Sequence, residues 1–190
     1  VSFRGAFVWV LLALWATWLF ALSAELALAL PGRWAPDLGW ALLASLAAHA
    51  RTRVLPLVAV VFALARSATS IDAPLASLAA CLAFVGAFRM LRVVLDIAQP
   101  VPLAVLTLGA TLACEAWYAL VRQTQVEAAL TRAALNASAG QPVWESVLAA
   151  GTGALSTAVV VWLAAPALRH LPGLSDLERK RTWPAAASSR

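Results

Sequence analysis

Charge is scarce in this sequence. Asp, Glu, Lys and Arg make up 12% of its 190 residues, about half the share found in ordinary soluble domains. Lysine is nearly absent: Lys180 stands alone against 13 arginines, a composition typical of GC-rich bacterial genomes. Two cysteines, Cys81 and Cys114, fall inside apolar runs without CxxC spacing and without a nearby histidine, which argues against a disulfide framework or a thiolate metal site. The two histidines, His49 and His170, each follow or precede an arginine at the end of an apolar run, where an interfacial role suits them better than a catalytic one. No hydrolase elbow, zinc-binding helix, phosphate loop or dinucleotide fingerprint occurs. These absences leave an enzyme little to work with: no catalytic residue, cofactor-binding residue or metal ligand set can be named.

What is abundant is apolar sequence. Hydrophobic residues account for 63% of the chain, more than a soluble core of this size can absorb. A bilayer span takes about 20 predominantly apolar residues. Runs near 6–30, 36–50, 54–70, 74–88, 101–121 and 143–168 predict an all-α, polytopic membrane protein with about six transmembrane helices in one compact bundle. The transmembrane domain would occupy 1–170, and 171–190 would form a basic cytoplasmic tail. The second, third and fourth runs are short, roughly 22 to 26 Å as helices against a hydrocarbon core of about 30 Å. The first run begins like a signal peptide, with Arg4 and small residues near Ser23, but stays apolar past the would-be cleavage region, so it is expected to be retained.

The stretch RWAPDLGW, 33–40, reads as a helix start at a membrane surface. Pro36 suits a first turn, Asp37 faces the positive end of the helix dipole, and Trp34 and Trp40 are expected at headgroup level. Arg51 and Arg53 would close that span at the opposite surface. With the N-terminus inside, ten Lys and Arg fall on the inner side and four on the outer, which predicts a multi-pass protein of the bacterial inner membrane with both termini cytoplasmic. The net charge of +5 is then a topology signal, and no nucleic-acid partner is implied.

Ionisable groups inside spans are costly and often functional. Glu25, Arg66 and Glu115 fall at similar depth toward the outer side, with Asp72 and Arg122 just beyond. They form a candidate outer-side polar cluster, which either holds the bundle or binds a partner, or else consists of locally paired, snorkelling side chains. Arg66 is expected to pair with Glu25 or Glu115. Ala149, Gly153 and Ser156 share one side of the last run and form a candidate strip for helix packing or partner contact. The segment 122–142 has the spacing of a short amphipathic surface helix or of a solvated linker, and its NAS at 136–138 matches a glycosylation acceptor by pattern alone. In the tail, Ser175 and Glu178 make a capping-box pattern ahead of Arg179, Lys180 and Arg181, which suit anionic lipid headgroups.

The order of these features resembles the bacterial rod-shape-determining MreD family. RWAPDL at 33–38 is similar to the family's arginine- and proline-containing start of an early span. ALARSATSIDAPLA at 63–76 keeps Leu64 and the Pro74–Leu75 pair of the hairpin that follows, but lacks its glycines and carries Arg66 near the place of a common aspartate. The resemblance implies a non-enzymatic inner-membrane scaffold subunit of the cell-elongation, peptidoglycan-synthesising machinery. Its partners would be membrane lipids, an MreC-type bitopic protein, RodA with its transpeptidase partner, and the MreB filament. It also implies a helix layout resembling the substrate-binding subunits of energy-coupling-factor transporters. The competing expectation is therefore a substrate-binding membrane subunit of a small-molecule, vitamin-type transporter.

Overall fold

A computed structural model describes residues 3–30, 34–70, 73–95, 99–132, 143–169, 171 and 177. It contains six helices and, among the described residues, no strand: α1 Phe3–Ala29, α2 Leu38–His49, α3 Leu55–Thr69, α4 Pro74–Leu91, α5 Pro100–Arg132 and α6 Val143–Arg169. Prolines open three of them. Pro56, Pro74 and Pro100 sit at the first or second helical position, where a missing N–H costs nothing and the fixed φ suits the helix.

The expectation of six transmembrane helices does not hold. Among the described residues three helices are long and apolar enough to cross a membrane: Ala6–Ala29, Pro74–Leu91 and Pro100–Thr124. The reason is length. α2 has 12 residues and α3 has 15, about 18 and 22 Å at 1.5 Å per residue, well short of a hydrocarbon core. The apolar part of α6 that is described, Ala150–Ala164, is also short. The six-span bundle resembling energy-coupling-factor subunits is thereby replaced by a helix-only bundle with three span-length members.

α2 is the axis of this bundle. It packs against each of the other five helices, and Gly39 through Ala48 are all buried. A helix without a polar face belongs inside, and Ala41, Ala44, Ala47 and Ala48 keep it thin enough for its neighbours to close round it. Burial obliges both of its ends to find partners for the backbone groups a helix leaves open. Asp37 is the N-cap and its Oδ1 accepts the Trp40 N–H at 3.1 Å. Neighbouring hydroxyls complete the turn: the Asp37 N–H donates to Thr157 Oγ1 at 2.9 Å and the Leu38 N–H to Ser23 Oγ at 2.8 Å. At the other end Arg92 Nη1 donates to the carbonyls of Ala47 and Ala50, at 3.1 and 2.9 Å, placing a cation at the negative end of the helix. The Arg51 N–H reaches the carbonyl of Leu177, which ties that residue of the tail to the same end.

Trp40 is not at headgroup level. It is 1% exposed, stacked on Phe84 at 4.8 Å between centroids and set edge-on to Phe20, with Phe84 stacked in turn on Phe88. Trp34, by contrast, is exposed. The helix begins at Leu38 with Asp37 as its cap, so Pro36 precedes the helix instead of forming its first turn. α5 continues to Arg132, so 122–132 extends that helix and is not a separate surface element. Residues 133–142, including the NAS triplet, and the capping-box pair Ser175 and Glu178 lie outside the described residues.

The exterior is apolar in helical stripes. Phe7, Val10, Leu14 and Trp18 on α1, Leu57, Val60 and Leu64 on α3, and Leu155, Val159, Trp162 and Leu163 on α6 are all exposed. Large exposed side chains recurring at three- and four-residue spacing would be an aggregation liability in water and are ordinary in lipid. Together with the three span-length helices, they give the bundle the character of a membrane protein.

Gly39 on α2 lies directly against the Phe20 ring of α1. A methyl group placed on its Cα would overlap the Phe20 ring, and that ring is held by Trp40 and Phe62. Gly39→Ala should therefore destabilise the bundle by about 1 to 3 kcal/mol, the usual cost of overpacking. Gly86 has open space at the same position, so Gly86→Ala should be neutral or mildly stabilising through helix propensity. Thermal unfolding of both variants in one detergent checks the pair; equal midpoints would show that Phe20 yields.

Candidate functional site

Three helices bring opposite charges together. Near the end of α3, Arg66 turns inward and is 9% exposed. Its Nη1 donates to Asp37 Oδ2 at 2.8 Å, while Nη2 lies 3.7 Å from Glu115 Oε1 on α5. Asp37 thus serves twice: one oxygen caps α2 and the other pairs with Arg66. The first interaction is charge-assisted and short, the second longer and mainly electrostatic. Three ring faces complete the surroundings of the guanidinium, Tyr118 at 4.8 Å and Phe20 and Trp40 at 5.4 Å from its central carbon. Such contacts favour a delocalised cation over a compact ammonium.

Beside this cluster lies a cavity of about 780 Å³. Its walls come from α1, the N-terminal end of α2, the C-terminal end of α3, α5 and α6, with Phe20, Trp40, Asp37, Arg66 and Glu115 on its inner part. Small side chains make the space. Ala24 and Ala27 on α1, Ala116 and Ala119 on α5, and Ala150 and Ala154 on α6 line it. Arg122 and Gln123, both exposed, stand two turns beyond Glu115 on α5 and form part of the rim.

Three hydroxyls of the wall are spent on helix carbonyls. Ser23 donates to the Leu19 carbonyl, Thr111 to those of Thr107 and Leu108, and Thr157 to that of Gly153. Ser23 Oγ and Thr157 Oγ1 also accept the Leu38 and Asp37 N–H groups. The arrangement has a polar floor of mixed charge, aromatic faces beside it and apolar sides. It can hold a molecule and orient it; among the described residues there is no group of three or more His, Cys, Asp or Glu placed to hold a metal.

Of the residues singled out in the sequence, Arg66 and Glu115 meet, and Arg122 joins them at the rim. Glu25 does not: it is exposed on α1 and, among the described residues, forms no ion pair. Asp72 lies outside the described residues, as does the side chain of Ala149. Gly153 lines the cavity, facing the interior of the bundle, and its carbonyl accepts the hydroxyls of both Ser156 and Thr157 at 2.8 Å. Asp37 was not counted with the cluster because its capping role already accounted for it. The available signal was its depth, which matches that of Arg66 if the two runs are antiparallel. Cys81 and Cys114 are both free thiols buried between α4 and α5, the latter donating weakly to the Ala80 carbonyl at 3.8 Å.

Comparison of the chain with protein families, with curated proteins and with solved structures gave no match in any of the three.

Proposed function

We propose that this chain is a non-enzymatic scaffold subunit of the bacterial cell-elongation machinery, acting in the inner membrane like the MreD-type proteins it resembles. The observation that carries the reading is the Asp37–Arg66 ion pair. It joins the two stretches on which the resemblance rests, 33–38 and 63–76, so residues far apart in sequence act as one joint of the bundle. The exposed apolar faces of α1 and α6 supply lateral surface for a single-span partner of the MreC type, through which RodA and its transpeptidase partner would be reached.

Co-purification of the tagged chain in mild detergent, followed by mass spectrometry, tests the reading. Cell-wall synthesis subunits should be recovered in stoichiometric amounts. Their absence from a preparation in which the chain itself stays folded and inserted would remove the scaffold role.

A second reading is favoured by the cavity: a substrate-binding membrane subunit of a small-molecule transporter. A volume of about 780 Å³ falls in the range of sites that enclose drug-sized ligands. Recovery of an ATPase module in the same experiment would favour it.

A further inference from the structure

We infer that the end of the bundle opposite the cavity carries a binding site for an anionic phospholipid, whose headgroup phosphate is taken by Arg51, Arg53 and Arg89. The site lies in a region that neither functional reading uses, and it is compatible with both.

Three helix ends meet here. α2 stops at His49, α3 starts at Leu55 and α4 ends at Leu91; the bonds from Arg92 Nη1 to the carbonyls of Ala47 and Ala50 hold the end of α4 to the end of α2. Arg89 precedes Arg92 by about one helical turn, and Arg51 and Arg53 lie in the short connection from α2 to α3. That connection is set by backbone bonds: the Arg51 N–H donates to the Leu177 carbonyl at 3.1 Å, and the Arg51 carbonyl accepts the Val54 N–H at 3.0 Å. All three arginines are exposed, and among the described residues their side chains form no ion pair and no hydrogen bond. The neighbouring stretches of sequence, 92–99 and 169–181, add Arg92, Arg169, Arg179, Lys180 and Arg181 against Asp96, Asp176 and Glu178. The balance therefore stays basic with the residues outside the described ones included.

Depth and apolar surroundings select a lipid as the source of the phosphate. α4 is long and apolar enough to span, and its 18 residues cover about 27 Å, close to the thickness of a hydrocarbon core. Its last turn, with Arg89, therefore reaches the headgroup layer. Beside the charges the surface is apolar: Val93 is 87% exposed, and Met90 and Val94 are 78% exposed. These side chains stand on an ordered turn, in which the N–H groups of Val93, Val94 and Leu95 donate to the carbonyls of Met90 and Leu91. Unpaired arginines next to exposed valines match a ligand with an anionic head and apolar chains. A soluble acidic protein or a free phosphate would satisfy the arginines but leave Met90, Val93 and Val94 without cover. The planar guanidinium fork also suits phosphate oxygens better than a point charge does.

The test uses the full chain, freed of co-purified lipid in a neutral detergent, with native mass spectrometry and thermal unfolding as readouts. The probes are dioleoyl phosphatidylglycerol, dioleoyl phosphatidylcholine, which has the same chains and no net charge, and glycerol phosphate, the headgroup anion alone. Phosphatidylglycerol should bind about fivefold tighter than phosphatidylcholine, with the difference shrinking as salt is raised, and glycerol phosphate should not compete with it. Replacing the arginines together, Arg51→Gln, Arg53→Gln and Arg89→Gln, should bring the two lipids within about twofold of each other. The lipid-free thermal midpoint should stay in place, because none of the three side chains is bonded to the bundle. The set Arg51→Lys, Arg53→Lys and Arg89→Lys keeps the charge and should keep most of the preference, which separates loss of charge from loss of fold. Equal affinity for the two lipids in the unaltered chain, or a preference that survives the glutamine set, would overturn the site. A preference that survives that set but disappears with Arg179→Gln, Lys180→Gln and Arg181→Gln would move the lipid contact to the tail. Displacement of the lipid by glycerol phosphate would overturn the lipid source in favour of a soluble phosphate, and displacement by a soluble Glu-rich peptide would overturn it in favour of an acidic protein.

Discussion

Arg66→Met should be among the most damaging single substitutions in the chain, lowering stability by about 2 to 3 kcal/mol, less than for a fully buried ion pair because the Asp37 and Glu115 side chains left behind are 26% and 33% exposed. Methionine fills much of the same space, so the loss is electrostatic. Asp37 and Glu115 are left facing each other across a site lined by Phe20, Trp40 and Tyr118, with no cation between them. Asp37 retains its bond to the Trp40 N–H, but its second oxygen loses its partner at the buried start of α2. Denaturation by sodium dodecyl sulfate, compared with the unaltered chain, measures the effect. Adding Asp37→Asn should recover part of the loss, because asparagine still caps the helix and no longer brings an uncompensated charge. A single variant as stable as the original, or a double variant less stable than the sum of its parts, would show that Arg66 is not the joint between α2, α3 and α5.

Arg66 and Glu115 were legible in the sequence because a charge inside an apolar run has few physical justifications. Asp37 was hidden by a sufficient local explanation: an aspartate before an apolar run reads as a cap, and it is one. A carboxylate has two oxygens, and nothing in the local pattern reveals where the second points. Glu25 shows the opposite error. Its depth along α1 resembles that of the cluster, but the neighbours that face the cavity are Phe20, Ser23, Ala24 and Ala27, and one residue further round turns Glu25 away by about 100°.

The helices were recognisable from their apolar runs and their prolines, while their roles were not. A short apolar helix without a polar face fits either lipid or protein surroundings, since both lack water. α2 is set apart by its alanines and by its 12-residue length, and both features acquire meaning only when five other helices are seen around it. The cavity was invisible for a related reason. It is made by the absence of side-chain volume at positions on three different helices, and alanine at one position implies nothing about alanine at another. Gly153 and its neighbours read as a surface for close helix approach, whereas small residues on three helices at one end of a bundle leave an open volume.

The aromatic centre of the bundle provides the other large effect. Trp40→Ala should cost about 3 kcal/mol, the lower end of the range for removing a large aromatic side chain from a well-packed core. The lower end applies because helices in lipid gain little from moving apolar surface out of water; what is lost is contact between packed atoms. Trp40 has no exposed surface to lose, being 1% accessible, and it makes three distinct contacts: a stack on Phe84, an edge contact with Phe20 and one face toward Arg66. Trp40→Phe keeps a ring in the same place and should recover most of the stability. It also removes an indole N–H that has no hydrogen-bond partner among the described residues, which offsets part of the lost contact area. The order of stability should therefore be tryptophan, then phenylalanine close behind, then alanine far below, measured by thermal unfolding in the same detergent. If alanine proved as stable as phenylalanine, the ring stack would be a bystander, and the joint between α2 and α4 would rest on the small residues of α2 alone.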